Sequence, residues 1–296
     1  MPSSPDGQDS QGSLLGASDV RELASTLGIV PTKKLGQNFV IDPNTVRRIC
    51  ASADLQASDV VVEIGPGLGS LTLALLPQVQ AVTAVEVDPA LAGQLVATVA
   101  KFAPRQVSKL HVVHADAMTV TDLPLQPNKL VANLPYNISV PVVLHFLATF
   151  PMLSDFLVMV QAEVAQRMAA KPGSKIYGIP SLKLAWYADV TLAGSVGRNV
   201  FWPAPNVDSG LVRLVKHEKA RGDEHLRHQV FSVIDSAFSQ RRKTLRSTLV
   251  NILGSTHNVE CVLEQAGVSS AARGEELTLD SFIEIVTSAR ALGFLV

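Results

Sequence analysis

"VVVEIGPGLGSLTLALL", residues 60–76, decides the fold. It opens as a β-branched apolar run, turns through Gly65, Gly67 and Gly69, and leaves as an apolar stretch with helical spacing. Glycines at such a turn let the backbone bend tightly and approach a ligand closely. The spacing is Gly-x-Gly-x-Gly, which differs from the Gly-x-Gly-x-x-Gly of dinucleotide-binding turns. Taken alone it reads either as a ligand floor or as a plain strand-to-helix joint.

Working outward, the same alternation repeats. The strand-like runs "AVTAVEVD", "LHVVHAD", "KLVANL", "FLVMVQ", "DVTLAGSV" and "SGLVRLV" follow between residues 81 and 215. Helical stretches such as "ALAGQLVATVAKFA" and "PVVLHFLATF" separate the earlier ones. Strands separated by helices make βαβ units and a parallel sheet covered on both faces. Only "GRNVFWPAPNVD" joins the last two runs, so they read as an antiparallel, hairpin-like pair at one end of the sheet. The expectation is an α/β protein with a doubly wound, Rossmann-like sheet of seven strands. From about residue 218 the pattern is helical throughout, with Gly, Ser and Asn breaks, and predicts a small all-α C-terminal domain over 218–296. The first thirty residues, opening "MPSSPDGQDSQGSLLGAS", read as a disordered tail over 1–30, which leaves 31–217 for the sheet domain.

Composition sets limits. The chain has 296 residues, 47% of them apolar, and a net charge of −1 with pI near 6.7. That balance argues against nonspecific coating of nucleic acid but allows a local basic patch. No apolar run is as long as a membrane span and no leader pattern is present, so no membrane partner is expected. Cys50 and Cys261 lie far apart and read as buried free thiols, which suits a reducing cytoplasm. His111 and His114 would point to opposite faces of a strand, so no metal site is expected.

Three successive strand ends carry the ligand chemistry. Gly65 begins the floor, Glu86 at the end of the next strand can accept from both hydroxyls of a ribose, and Asp116 can accept from the exocyclic amine of an adenine. No lysine of a phosphate-binding loop accompanies them. The implied ligand is a nucleoside with a small tail, and S-adenosyl-L-methionine fits that description.

The segments "KKLGQNFVIDP", "VVEIGPGLGSLT", "VEVDPAL", "HADAM", "VANLPYNIS" and "FWPAPNVDSGLVRL" together resemble the ribosomal RNA adenine dimethyltransferases, in their KsgA/RsmA branch. The resemblance runs in order from residue 31 to 250. It implies a class I methyltransferase fold and dimethylation of two adjacent adenosines near the 3′ end of small-subunit RNA. It also implies an N-terminal segment around Gln37 that folds over the cofactor, with Asn38 and Val40 beside it.

Within "VANLPYNIS" the chemistry concentrates on Asn133, Leu134, Pro135 and Tyr136. If the Asn133 side-chain oxygen and the Leu134 or Pro135 carbonyl each accept one N6 hydrogen, the nitrogen is drawn toward tetrahedral geometry and its lone pair can face the methyl group. Tyr136 offers a ring for the extracted base. Phe201 resembles the family's second aromatic, which closes the other face. Asn133 thus counts for both catalysis and the cofactor pocket. No strong base is needed, since a sulfonium leaves readily and positioning carries the rate.

For RNA, "FSQRRKTLRSTL" places Arg241, Arg242, Lys243 and Arg246 at a predicted helix start, with Arg242 and Arg246 on one face opposite Leu245 and Leu249. Arg47, Arg48, Lys33 and Lys34 are further candidates. Family relatives keep a Leu-Ser helix start where this chain has Ile179-Pro180-Ser181; proline in a first turn is tolerated. Erm-type enzymes acting on large-subunit RNA favour Asn-Ile-Pro-Tyr and are more basic. DNA adenine methyltransferases bring a larger recognition region, and a non-catalytic assembly factor has no need of an intact tetrad. The expected partner is small-subunit RNA or the immature small subunit, met by a cytoplasmic monomer.

Overall fold

The computed structural model describes residues 12–29, 38–135 and 138–295. In chain order the elements begin with α1 (Ala17–Thr26), β1 (Phe39–Val40), α2 (Pro43–Ser52), β2 (Val60–Ile64), α3 (Ser70–Leu75), β3 (Ala81–Glu86) and α4 (Pro89–Phe102). Then come β4 (Leu110–His114), β5 (Lys129–Asn133), α5 (Ser139–Thr149), β6 (Asp155–Gln161), α6 (Ala162–Met168) and α7 (Ile179–Ala185). The chain closes with β7 (Ala188–Val196), β8 (Phe201–Trp202), β9 (Ser209–Lys216), α8 (Glu224–Ala237), α9 (Leu245–Thr248), α10 (Val250–Leu253), α11 (Thr256–Gln265) and α12 (Leu279–Ala291). No helix among the described residues is long and apolar enough to cross a membrane.

The main sheet has seven strands in the order β4-β3-β2-β5-β6-β9-β7. β2 pairs in parallel with both β3 and β5, and β4 and β6 extend the parallel set on either side. β9 runs antiparallel to β6, with Met159 opposite Leu211, and β7 lies beside β9 at the edge. The doubly wound sheet and the paired last strands are those expected from the sequence. After β2 the chain winds outward through β3 and β4, then returns to place β5 on the other flank of β2. That reversal is the topological switch point, where ligands bind beyond the carboxyl ends of the strands.

Local chemistry starts the helices that frame this point. Asp42 accepts the Thr45 amide at 2.9 Å and caps α2, which has proline in its first turn. Asp88 does the same for α4, accepting Ala90 N–H at 2.8 Å. At the opposite, amino ends of the strands, Lys129 is nearly buried. Its Nζ donates to the Ala53 carbonyl at 3.2 Å and to Asp54 O, with Asp59 at 3.4 Å and Asp155 at 3.7 Å.

The chain divides into two compact units, residues 1–165 with 191–216, and residues 166–190 with 217–296. The second unit therefore begins earlier than the boundary at 217/218 read from the sequence. The reason is apolar: Tyr177, Leu182 and Trp186 join Val230, Ile234, Phe282 and Ile285 in that unit's core. Ile179-Pro180-Ser181 does start a helix, α7, with proline in the first turn. Among the described residues no strand begins after residue 217.

Two expectations are corrected here. The stretch assigned to a disordered 1–30 tail contains α1, whose Val20, Leu23 and Ala24, with Leu15, are buried in the first unit's core. A short apolar stripe among Ser and Gly residues was enough to anchor it. Cys50 is a buried free thiol, pushed up to about 12 by burial, but Cys261 is partly exposed.

Candidate active site

A cavity of about 210 Å³ opens at the switch point, lined from the carboxyl ends of β2, β3 and β5, the β4 exit and β1. Asn38, Val40, Gly65, Glu86, Asp116, Asn133, Leu134 and Pro135, all singled out in the sequence, line it together.

Gly67 holds φ at +57°, and a Cβ there would stand 2.9 Å from the Phe39 ring. The glycine thus permits both the left-handed turn and the close seat of β1 on it. Its N–H donates to Glu86 Oε2 at 3.1 Å, while Glu86 Oε1 accepts from Val87 N at 2.9 Å and Asp88 N at 3.0 Å. Burial pushes the Glu86 carboxyl up and outweighs these three donors, which hold it down. Three of roughly four acceptor positions are already filled, so an incoming hydroxyl finds about one open site instead of a free bidentate carboxylate. Asp116 is exposed and lines the cavity; its Oδ1 accepts Met118 N–H at 2.8 Å, and its Oδ2 has no donor among the described residues.

Glu63, also on the lining, is almost wholly buried, and Thr72 Oγ1 donates to it at 2.6 Å. Burial pushes its carboxyl up to about 8; the Thr72 bond opposes this and the Glu86 charge adds to it.

On β5 the Asn133 carboxamide donates from Nδ2 to the Asn38 carbonyl at 3.2 Å. The Leu134 amide donates to Met159 O at 3.0 Å, and the Pro135 carbonyl accepts Ile138 N–H at 3.3 Å. Among the described residues no donor meets the Leu134 carbonyl, so of the two carbonyls left open by the sequence, Leu134 is the less engaged. Tyr136 lies outside the described residues, as do Lys33, Lys34 and Gln37.

Phe201 is not brought to the cavity. It is 3% exposed and belongs to the first unit's apolar core, where β8 pairs with β1. The sequence reading missed Phe39, Ser70 and Val87, which do line the cavity. The signal for Phe39 lay in its position between Asn38 and Val40, and for Val87 in its place directly after Glu86 at the strand end; the structure leaves it 58% exposed.

The basic segment is corrected in form. Arg241, Arg242 and Lys243 sit in a turn, closed by Lys243 N–H on Gln240 O at 2.9 Å, and α9 begins only at Leu245. Arg242 and Arg246 therefore do not share one helical face. Burial of Leu245 and Leu249 fixes the short helix, and the preceding cations stay outside it. Arg241 is paired with Glu275 at 3.2 Å and Arg246 with Glu260 at 2.6 Å. Arg242 and Lys243 are exposed and make no ion pair among the described residues.

A doubly wound sheet, a glycine turn, an acidic residue at each of the next two strand ends and an Asn-Leu-Pro segment at the end of β5 define an α/β methyltransferase. The chain belongs to the ribosomal RNA adenine dimethylase family, whose model matches residues 31–290. It is 59% identical over 273 residues to the ribosomal RNA small subunit methyltransferase A of Streptomyces coelicolor, covering 92% of this chain and 96% of that one. The protein of the same name from Thermobifida fusca is also 59% identical over 273 residues, 92% of this chain and 95% of that one. Among solved structures, a dimethyladenosine transferase from Plasmodium falciparum superposes with a TM-score of 0.74 at 25% identity, covering 85% of this chain and 97% of that one. The 23S rRNA methyltransferase ErmE superposes with a TM-score of 0.64 at 25% identity, covering 85% and 99%.

Proposed function

We propose that the protein transfers methyl groups from S-adenosyl-L-methionine to N6 of two adjacent adenosines near the 3′ end of small-subunit ribosomal RNA, twice on each. The single observation that carries the reading is the Asn133 amide, turned so that its nitrogen faces Asn38, with no donor to its oxygen or to the neighbouring Leu134 carbonyl among the described residues.

The residues fit the cofactor. Gly65 and Gly67 give a floor that a side chain would fill, Glu86 takes a ribose hydroxyl at its remaining acceptor site, and Asp116 Oδ2 takes the adenine amine. Asn38 and Val40 wall the other side. When bound, the cofactor supplies an electrophilic methyl on a sulfonium, a good leaving group. Asn133 Oδ1 and Leu134 O then accept the two hydrogens of the target amine and turn its lone pair toward that methyl. Pro135 restrains the chain at this point through its fixed φ. Tyr136 stacks on the extracted base in this reading. Phe201, held in the first unit's core beside β1, takes no part in this reading.

Once it carries the methyl the nitrogen is positively charged and acidic and releases one proton to water, so after the first transfer one hydrogen is gone and one acceptor loses its partner. The second transfer then depends on the acceptor that remains. Arg242 and Lys243 meet RNA phosphate, and Arg241 and Arg246 can join them by leaving their glutamates. The substrate is the RNA of an immature small subunit, met in the cytoplasm by a monomer. The names of the bacterial relatives support the small-subunit assignment over the large.

The test is transfer of labelled methyl to purified small and large subunits that lack adenine dimethylation. Label confined to small-subunit RNA is expected. Label confined to large-subunit RNA would move the activity to the ErmE type.

A further inference from the structure

We propose that the main-chain carbonyl of Asn38 is a positioning group for methyl transfer: it holds the Asn133 carboxamide so that Oδ1, not Nδ2, meets the amine to be methylated. This rests on the role given to Asn133 above and adds to it the device that fixes the amide.

A carboxamide has one acceptor end and one donor end, and an amine with two N–H groups needs the acceptor. A free asparagine can turn either end toward it. At 3.2 Å from the Asn38 carbonyl only the nitrogen end can stand, because two oxygens at that separation would repel with no hydrogen between them. The carbonyl therefore settles the flip before the base arrives. That is preorganisation of the kind that lowers a barrier without cost at the moment of reaction.

The strand that follows Asn38 is held from three sides. β1 pairs with β8, placing Phe39 opposite Trp202 and Val40 opposite Phe201. Ile41 N–H extends the pairing to the Val200 carbonyl at 2.8 Å. The buried Ser70 hydroxyl donates to the Val40 carbonyl at 2.8 Å, and the Phe39 ring seats on Gly67, where no Cβ intervenes. One short strand thus ties the glycine turn, β8 and the Asn133 amide into a single register.

The arrangement gives Asn133→Asp a signature. An ionised carboxylate cannot donate to the Asn38 carbonyl and would be pushed away from it. Protonated, it donates O–H to Asn38 O and still presents an oxygen to the amine. Initial rates of the parent, Asn133→Ala and Asn133→Asp are compared from about pH 5 to about pH 8.5. The carboxyl groups that face the same cavity, Glu63, Glu86, Asp88 and Asp116, are common to all three. They cancel in the Asn133→Ala ratio, and in Asn133→Asp they raise the new carboxyl by repulsion, which moves the rise in its ratio to higher pH without changing its direction.

Asn133→Ala should lose about 100-fold or more at every pH. Asn133→Asp should match that loss at the alkaline end, with its ratio to parent rising about tenfold per unit of pH lowered until the carboxyl is protonated. A ratio for Asn133→Asp that does not change with pH, beside an inactive Asn133→Ala, would overturn the positioning role and leave that of Asn133 standing. Parental activity in Asn133→Ala would instead overturn the reading beneath. In the parent protein, a scalar coupling across the hydrogen bond from the Asn133 side-chain nitrogen to the Asn38 carbonyl carbon is expected by NMR, and its absence would overturn the proposal whether or not the variants fold.

Discussion

Gly67→Ala tests the cofactor floor through two measurable strains. Gly67 sits at φ +57°, where an L-residue costs about 1–2 kcal/mol relative to glycine. The new methyl would also stand 2.9 Å from Phe39 Cε1 and 3.1 Å from Cδ1. That ring is 8% exposed and stacked on Trp202 at 6.4 Å between centroids, so it has little room to retreat. Crowding of this kind costs roughly 1–3 kcal/mol. If the turn moves to relieve it, Gly67 N–H leaves Glu86, and a hydrogen bond to a charged group is worth about 1.5–3 kcal/mol. Either response loosens the pocket. We expect destabilisation of about 2–4 kcal/mol in urea unfolding and a loss of S-adenosyl-L-methionine affinity of about 10- to 100-fold by titration calorimetry. Gly93→Ala is the control: Gly93 lies in α4 with nothing within 4 Å of a new Cβ, and alanine there should stabilise by up to about 1 kcal/mol. Gly67→Ala with parental affinity and parental stability would refute the argument that this turn needs glycine.

Glu63→Gln should change how stability depends on pH. In the folded protein Glu63 is raised from 4.5 to about 8, so the fold binds a proton that the unfolded chain has released. That contribution is present below about pH 4.5 and is lost as pH rises to about 8, so the glutamine variant should gain on the parent across that window and level off above it. Parallel stability curves in urea at several pH values would contradict this. Lys129→Met removes the donor to two backbone carbonyls and one partner each of Asp59, which keeps Asn128 and the Gln56 N–H, and of Asp155, which keeps Arg213; it should cost about 1–3 kcal/mol while activity per folded molecule stays unchanged. Arg242→Ser with Lys243→Ser should flatten the salt dependence of RNA binding by about 1.5 units in log–log slope, whereas Arg246→Ser, already paired with Glu260, should change it less.

What the sequence made legible is what a one-dimensional period can encode. The strand runs and glycine turn placed the switch point, and the residues at the ends of β2, β3 and β5 fell onto one cavity because a parallel sheet gathers its carboxyl ends. Phe201 was read from a motif, and the motif says nothing of the β1 pairing that holds its ring in the core. The helix α1 was hidden because its buried residues are few and lie among Ser and Gly. The Arg241–Lys243 turn read as helix because cations and leucines there have helical spacing, while the turn depends on a backbone bond that spacing does not record. The link from Asn38 to Asn133 spans 95 residues and runs through a main-chain carbonyl, which carries no residue-specific signal at all.

The central claim is that the end of β5 dimethylates adenosine. It is tested most directly by incubating unmethylated small subunits with S-adenosyl-L-methionine and the parent or Asn133→Ala protein, then digesting the RNA and identifying modified nucleosides by mass spectrometry. The account predicts N6,N6-dimethyladenosine at two neighbouring positions with the parent and none with Asn133→Ala. Equal yields of dimethyladenosine from both proteins would contradict it.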